Sequence, residues 1–185
     1  MTFLVGSLNL TVAGIYLVMV VLAQNLHASS FTIGLIFGIG SIGGIAGAFV
    51  GPFIQKRLSY GQAIIGLCWL TALIWPLLAI APNLVVLTLF FMLYLIWGRI
   101  MSVVNFSYRM ALTPDEMRGR SSGIGNLLVR GSLPIGIALT GTLIQNLGVV
   151  MTVFIITGCR ALIALAATLN SHVRNAPQAV KAQLE

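Results

Sequence analysis

Charge is the scarcest ingredient of this sequence. Ten Lys and Arg and three Asp and Glu in 185 residues make 7% of the chain, against 58% hydrophobic residues and a mean hydropathy of +1.04. A soluble domain carries roughly 25% charged residues, so there is too little polar surface to coat a globule of this size, and a water-soluble fold is excluded. Cysteine is rarer still. Cys68 and Cys159 offer no disulfide or metal spacing and read as small apolar fillers. No nucleophile–base pair, phosphate-cradling loop or metal motif is present, which speaks against an enzyme and against any metal or other cofactor. A basic n-region is missing too, since the first Lys is Lys56. A cleaved secretory signal needs that region, so the opening apolar segment reads as a retained span. Met1 stands almost inside it, and the sequence reads as starting where a longer protein is already crossing a membrane.

What is there is apolar runs. Six stretches approach the ~20 residues needed to cross a ~30 Å hydrocarbon core: 3–23, 31–54, 63–80, 84–108, 121–144 and 149–169. Lipid cannot satisfy the backbone of an open strand, and a barrel would alternate apolar and polar residues. The expectation is an all-α integral membrane fold, a six-transmembrane-helix bundle over residues 1–170, followed by a polar tail at 171–185.

Basic residues orient the bundle. Lys56 and Arg57 follow the second span, Arg109, Arg118 and Arg120 the fourth, and Arg174 and Lys181 the sixth, while the alternate loops 24–30, 81–83 and 145–148 hold no Lys or Arg. Both termini are therefore expected on the cytoplasmic side. The net charge of +7 suits an anionic leaflet and reports topology rather than nucleic-acid binding.

The charge that exists gathers in RMALTPDEMRGRSSG, residues 109–123. Thr113-Pro114-Asp115-Glu116 has the pattern of a helix start: Thr113 as cap, Pro114 at the first helical position, Glu116 closing a capping box. Asp115 and Glu116 favour the positive end of the helix dipole. Arg118 and Arg120, with Gly119 between them, can pair with those carboxylates or with lipid phosphates. The segment reads as the watery lead-in to the fifth span.

Glycine supplies architecture. Gly43, Gly47 and Gly51 recur every four residues in the second span, and Gly123, Gly125, Gly131, Gly136 and Gly141 lie in the fifth. Small residues at that spacing let helix backbones approach closely in lipid. Pro134 and Gly136 can bend the fifth span. The glycine-rich spans are the middle members of two triplets, as in a three-plus-three repeat. Tyr60, Trp75 and Tyr108 are expected near the interfaces as belt anchors.

The run ALTPDEMRGRSSGIGNLLVRGSLPIGIALTGTLIQNLG (111–148) resembles the loop 10–11 and helix 11 region of major facilitator superfamily transporters. The likeness is to the branch holding the enterobactin exporter and related macrolide and multidrug efflux proteins. Residues 22–58 resemble that branch's helix 8 and its exit. The superfamily signature G-x-x-x-D-R-x-G falls on Gly51 to Leu58, with Gln55 in place of Asp and Leu58 in place of Gly. The resemblance implies one half of a major facilitator fold, helices 7 to 12, in a bacterial inner membrane. It further implies proton-driven export of a small molecule by alternating access. The partners implied are the lipid bilayer, a small-molecule substrate, and an N-terminal six-helix half or a second copy of the chain; nucleic acid is not among them. The other reading is a non-transporting membrane remnant or a helix-packing interaction module.

Polar residues inside the spans are the candidate pathway. Arg99, Arg130 and Arg160 fall near the middle of the last three spans, where an Arg costs about 2.5–3.5 kcal/mol on insertion scales. No carboxylate lies in any span, so a proton-coupling acid would have to come from the other half. Arg99 and Arg130 are the pathway candidates, with Asn9 in the first span and Asn105 at the inner end of the fourth. Arg160 reads as packing, because the corresponding helix 12 is peripheral.

Overall fold

Uninterrupted apolar sequence becomes helix, and three of the helices start where a Ser or Asn side chain satisfies a free amide. The computed structural model describes residues 12–112 and 118–170. The described elements, with no strand among them, are α1 (Ile15–Asn25), α2 (Ser30–Arg57), α3 (Tyr60–Ala79), α4 (Leu84–Leu112), α5 (Arg118–Leu147) and α6 (Val149–Leu169). Four of these, α2, α3, α4 and α6, are long and apolar enough to cross a membrane. Within the described residues α1 is short, and α5 is long but poorer in apolar residues. The Thr113–Glu116 capping motif and the 171–185 tail lie outside the described residues.

The caps are local chemistry. Ser29 accepts the Thr32 amide at 3.2 Å. Ser59 and Gln62 form a reciprocal capping box, each accepting the other's amide at 3.3 Å, which satisfies two orphan donors at the start of α3. Asn83 Oδ1 accepts the Val86 amide at 2.9 Å ahead of α4. Gly148 alone joins α5 to α6, with φ at +80°, a left-handed geometry that only glycine adopts without strain. Inside the helices, Thr71, Thr88, Thr140 and Thr152 donate to carbonyls one turn back, so these four buried hydroxyls need no water.

The helices pack in a repeating pattern. α2 lies along α4 in the most extensive seam; α3 packs on α4 and α6; α1 meets α5 and α6; α5 meets α6, and α2 touches α3. Exchanging α1 with α4, α2 with α5 and α3 with α6 maps this set of pairs onto itself, the contact form of a three-plus-three repeat. Glycine makes the two corresponding seams close. A methyl group on Gly43 would overlap the Met92 carbonyl oxygen, and one on Gly47 the Ile96 carbonyl oxygen, while one on Gly14 would overlap the Thr140 side chain between α1 and α5. In lipid, close packing of this kind replaces the hydrophobic drive that holds soluble helices together.

The core fills the space between α1, α3, α4 and α6. One part centres on Met19, Trp75, Leu87 and Phe91, and the other on Ile64, Leu67, Ile100 and Val104. The expectation that Tyr60, Trp75 and Tyr108 are interfacial anchors is corrected here. Trp75 is 0% exposed, and Tyr60 and Tyr108 are buried as well, because their rings fill the junctions between α3 and α4 rather than facing headgroups. Cys68 is buried and fits the filler reading, whereas Cys159 is exposed. The large side chains left uncovered lie mainly on α2, α5 and α6, among them Phe31, Phe49, Phe53, Leu127 and Leu169.

Candidate functional site

Two arginines well inside the apolar helices, Arg99 and Arg160, have described side chains, and they live in opposite surroundings. Arg160 on α6 is 2% exposed. Its guanidinium lies 5.0 Å from the centroid of the Trp75 ring and 5.5 Å from that of Tyr94, and its Nη2 donates to the Tyr94 hydroxyl at 3.2 Å. Trp75 and Tyr94 meet edge to face at 6.0 Å. The chain's three acidic residues, Asp115, Glu116 and Glu185, all fall outside the described residues. Aromatic quadrupoles therefore stand where a carboxylate would stand in a soluble protein. Two buried donors, Arg160 Nε and Trp75 Nε1, have no partner among the described residues. This cluster ties α3, α4 and α6 together. It is enclosed on all sides, so it is a packing device rather than a place a solute reaches.

Arg99 is the opposite case. It sits about 22 Å along α4 from Leu84 at ~1.5 Å per residue, near mid-span, and is exposed. Its Nε is 4.0 Å from where a Cβ on Gly44 would stand, so the side chain lies across bare backbone of α2. On that flank of α2, Phe37, Ser41, Gly44 and Ala48 follow one another at helical spacing, and Ser41 donates to the Phe37 carbonyl at 2.7 Å. At its outer end, Phe37 meets Tyr16 of α1 at 5.8 Å and Phe91 of α4 at 5.7 Å, while Tyr16 meets Phe91 at 6.2 Å, all edge to face. Phe91 is fully buried, but Tyr16 is 56% exposed. Three helices thus build one open strip with an aromatic end and a cationic end.

Asn105 belongs to a separate, inner feature. Its Oδ1 accepts from the Tyr60 hydroxyl at 2.6 Å, and Tyr60 stacks on Tyr108 at 3.7 Å with 12° between the rings. Tyr60 also lines a shallow cleft with Gln55, Leu58, Ala63 and Val104. The bond joins the start of α3 to the inner end of α4 and leaves Asn105 no part in the Arg99 strip.

The remaining sequence candidates divide between glycines and residues beyond description. Gly43, Gly47 and Gly51 lie against α4, with Gly51 facing Val103. Asn9, Pro114, Asp115 and Glu116 lie outside the described residues. Arg118 opens α5, Gly119 on its first turn is exposed, and Arg120 and Arg130 lie further along the helix. The side chains of Arg118, Arg120 and Arg130 are outside the described residues. Sequence reasoning missed Tyr16, Phe37 and Phe91, since aromatic residues within apolar runs carry no signal of which helices they join. The i, i+4, i+7 run of Phe37, Ser41 and Gly44 is the one sign that could have found the strip.

Residues 1–183 match the family model of the Major Facilitator Superfamily. Among the curated proteins and among the solved structures, nothing matches the chain.

Proposed function

Because the chain belongs to the Major Facilitator Superfamily, whose members are multi-pass membrane transporters and in general not enzymes, we propose that it is the C-terminal six-helix half of a small-molecule exporter. The observation that carries this reading is Arg99. An exposed guanidinium near mid-span with no acidic side chain among the described residues is too costly to face lipid, and it fits a water-filled pathway completed by another six helices. The resemblance to the enterobactin-exporter branch supports efflux, and the basic inner loops support cytoplasmic termini in a bacterial inner membrane. Alternating access would place the Arg99 face toward the partner half, with a second copy of the chain as the other way to complete the cavity. No acidic side chain lies within the apolar spans, so proton coupling would use a carboxylate of the partner half. Arg130 is proposed as a further pathway charge on α5. The alternative, a helix-packing module built on the glycine ladder, loses support because Gly43, Gly47 and Gly51 are consumed in the α2–α4 seam.

Whole-cell efflux of a fluorescent dye tests the reading, with the chain expressed alone and together with an N-terminal half from a close relative. Export only in the co-expressed cells, reduced more by Arg99→Ala or Arg130→Ala than by a lipid-face change such as Phe49→Ala, is the expected result. Robust export by the chain alone would favour the second-copy arrangement, and no export in either case would refute the proposal.

A further inference from the structure

The strip running from Tyr16 to Arg99 has a chemistry of its own, and we infer that it binds an organic anion with a flat apolar body. The anionic group would lie on Arg99 and the body along α2 toward Tyr16 and Phe37. This rests on the transport reading and names the kind of solute it serves.

The argument is one of spacing and surface. Phe37 and Gly44 share a flank of α2 about 10 Å apart at ~1.5 Å per residue. Between them stand only a glycine-packed seam on one side and the small side chain of Ser41 on the other. Among the described residues, only Arg99 Nε comes near the missing Cβ of Gly44, so the backbone is open to a planar group laid against it. The ends differ in what they recognise. Tyr16 is exposed and held by edge contacts with Phe37 and Phe91, which presents a ring face for offset stacking. Arg99 presents a planar fork of donors that matches a carboxylate, sulfonate or phosphate in two-point contact. Ser41 has spent its proton on the Phe37 carbonyl, leaving its oxygen as an acceptor midway. A cation would meet repulsion at Arg99, and a neutral solute would leave the guanidinium unpaired. An amphiphilic anion satisfies both ends.

Two dyes with the same ring system separate the ends: 8-anilinonaphthalene-1-sulfonate, which carries one sulfonate, and N-phenyl-1-naphthylamine, which is neutral. Binding of each to the chain in lipid nanodiscs is read by fluorescence, with empty nanodiscs subtracted. The sulfonate dye should bind more tightly than the neutral dye. Arg99→Gln should weaken the sulfonate dye tenfold or more, as loss of a charge-assisted hydrogen bond demands, and leave the neutral dye unchanged. Arg99→Lys should fall between. Gly44→Val, which fills the strip without entering the α2–α4 seam, should weaken both. Equal affinity for the two dyes, or a sulfonate affinity indifferent to Arg99→Gln in a protein with unchanged circular dichroism, overturns the inference. Export distinguishes this failure from failure of transport itself. A co-expressed pair that exports the neutral dye while sulfonate binding ignores Arg99 leaves the transporter standing and removes the anion strip. Arg99-dependent binding without export of either dye does the reverse.

Discussion

Removing Arg160 should cost the bundle stability in an order that reveals what its cage does. The guanidinium loses two desolvated cation–π contacts, each worth about 2 kcal/mol. It also loses a hydrogen bond to Tyr94 that, at 3.2 Å, stands near the low end of the roughly 1.5–3 kcal/mol seen for charged groups. Against that, Arg160→Ala removes a charge that costs about 2.5–3.5 kcal/mol to hold in lipid. The net is a destabilisation of about 2–3 kcal/mol, increased by whatever void the surrounding α3, α4 and α6 side chains fail to close. Arg160→Met restores most of the volume, so it should be less harmful than Arg160→Ala. Tyr94→Phe keeps the ring face and loses only the hydroxyl, so it should cost about 1.5 kcal/mol. Unfolding of the detergent-solubilised chain by sodium dodecyl sulfate, followed by circular dichroism, ranks the variants. If Arg160→Ala unfolds at the same detergent fraction as the unaltered chain, or if Arg160→Met is worse than Arg160→Ala, the cage contributes nothing and the reasoning is wrong.

Three further outcomes can be checked with simple measurements. Gly47→Ala drives a methyl group into the Ile96 carbonyl oxygen and should lower the monodisperse fraction on size-exclusion chromatography, whereas Gly44→Ala should elute as the unaltered chain does. Ser59→Ala breaks the capping box ahead of α3 and should cost about 1 kcal/mol in the same unfolding assay, with Ser59→Asp largely tolerated; equal loss in both would assign the hydroxyl another task. Alkaline phosphatase, active only outside the cytoplasm, should be silent when fused after Glu185, and activity there would invert the topology.

The sequence was most legible where a polar residue interrupts an apolar run. The breaks at 24–30 and 81–83 are visible as such, whereas 145–147 of the expected loop 145–148 continue α5; Ser29, Ser59, Asn83 and Gly148 stand at the helix starts they precede. Hydropathy says where lipid ends, not where the helix ends. Hence α4 continues to Leu112 and α2 to Arg57, beyond the apolar stretches that announce them, because backbone hydrogen bonding persists into the headgroup region. Which face of each helix is buried was not legible. A helix that is apolar all round has no polar side to point outward, so Trp75 and Tyr60 look like interface anchors until α4 and α6 are placed beside them. The same blindness hides the Arg99 strip and the aromatic partners of Arg160. Charge could be found in the sequence; its company could not.

The single residue between α5 and α6 bears on how the chain is made. Gly148 turns the backbone directly from one helix into the next, so the polar connection shrinks to Gln145 and Asn146 in the last turn of α5 and Gly148 itself. α5 carries Arg118, Arg120 and Arg130, while α6 is long and apolar enough to cross a membrane. The ribosome delivers α5 first, and a one-residue turn gives it no loop by which to settle apart from α6, so the two helices are expected to enter lipid as one hairpin.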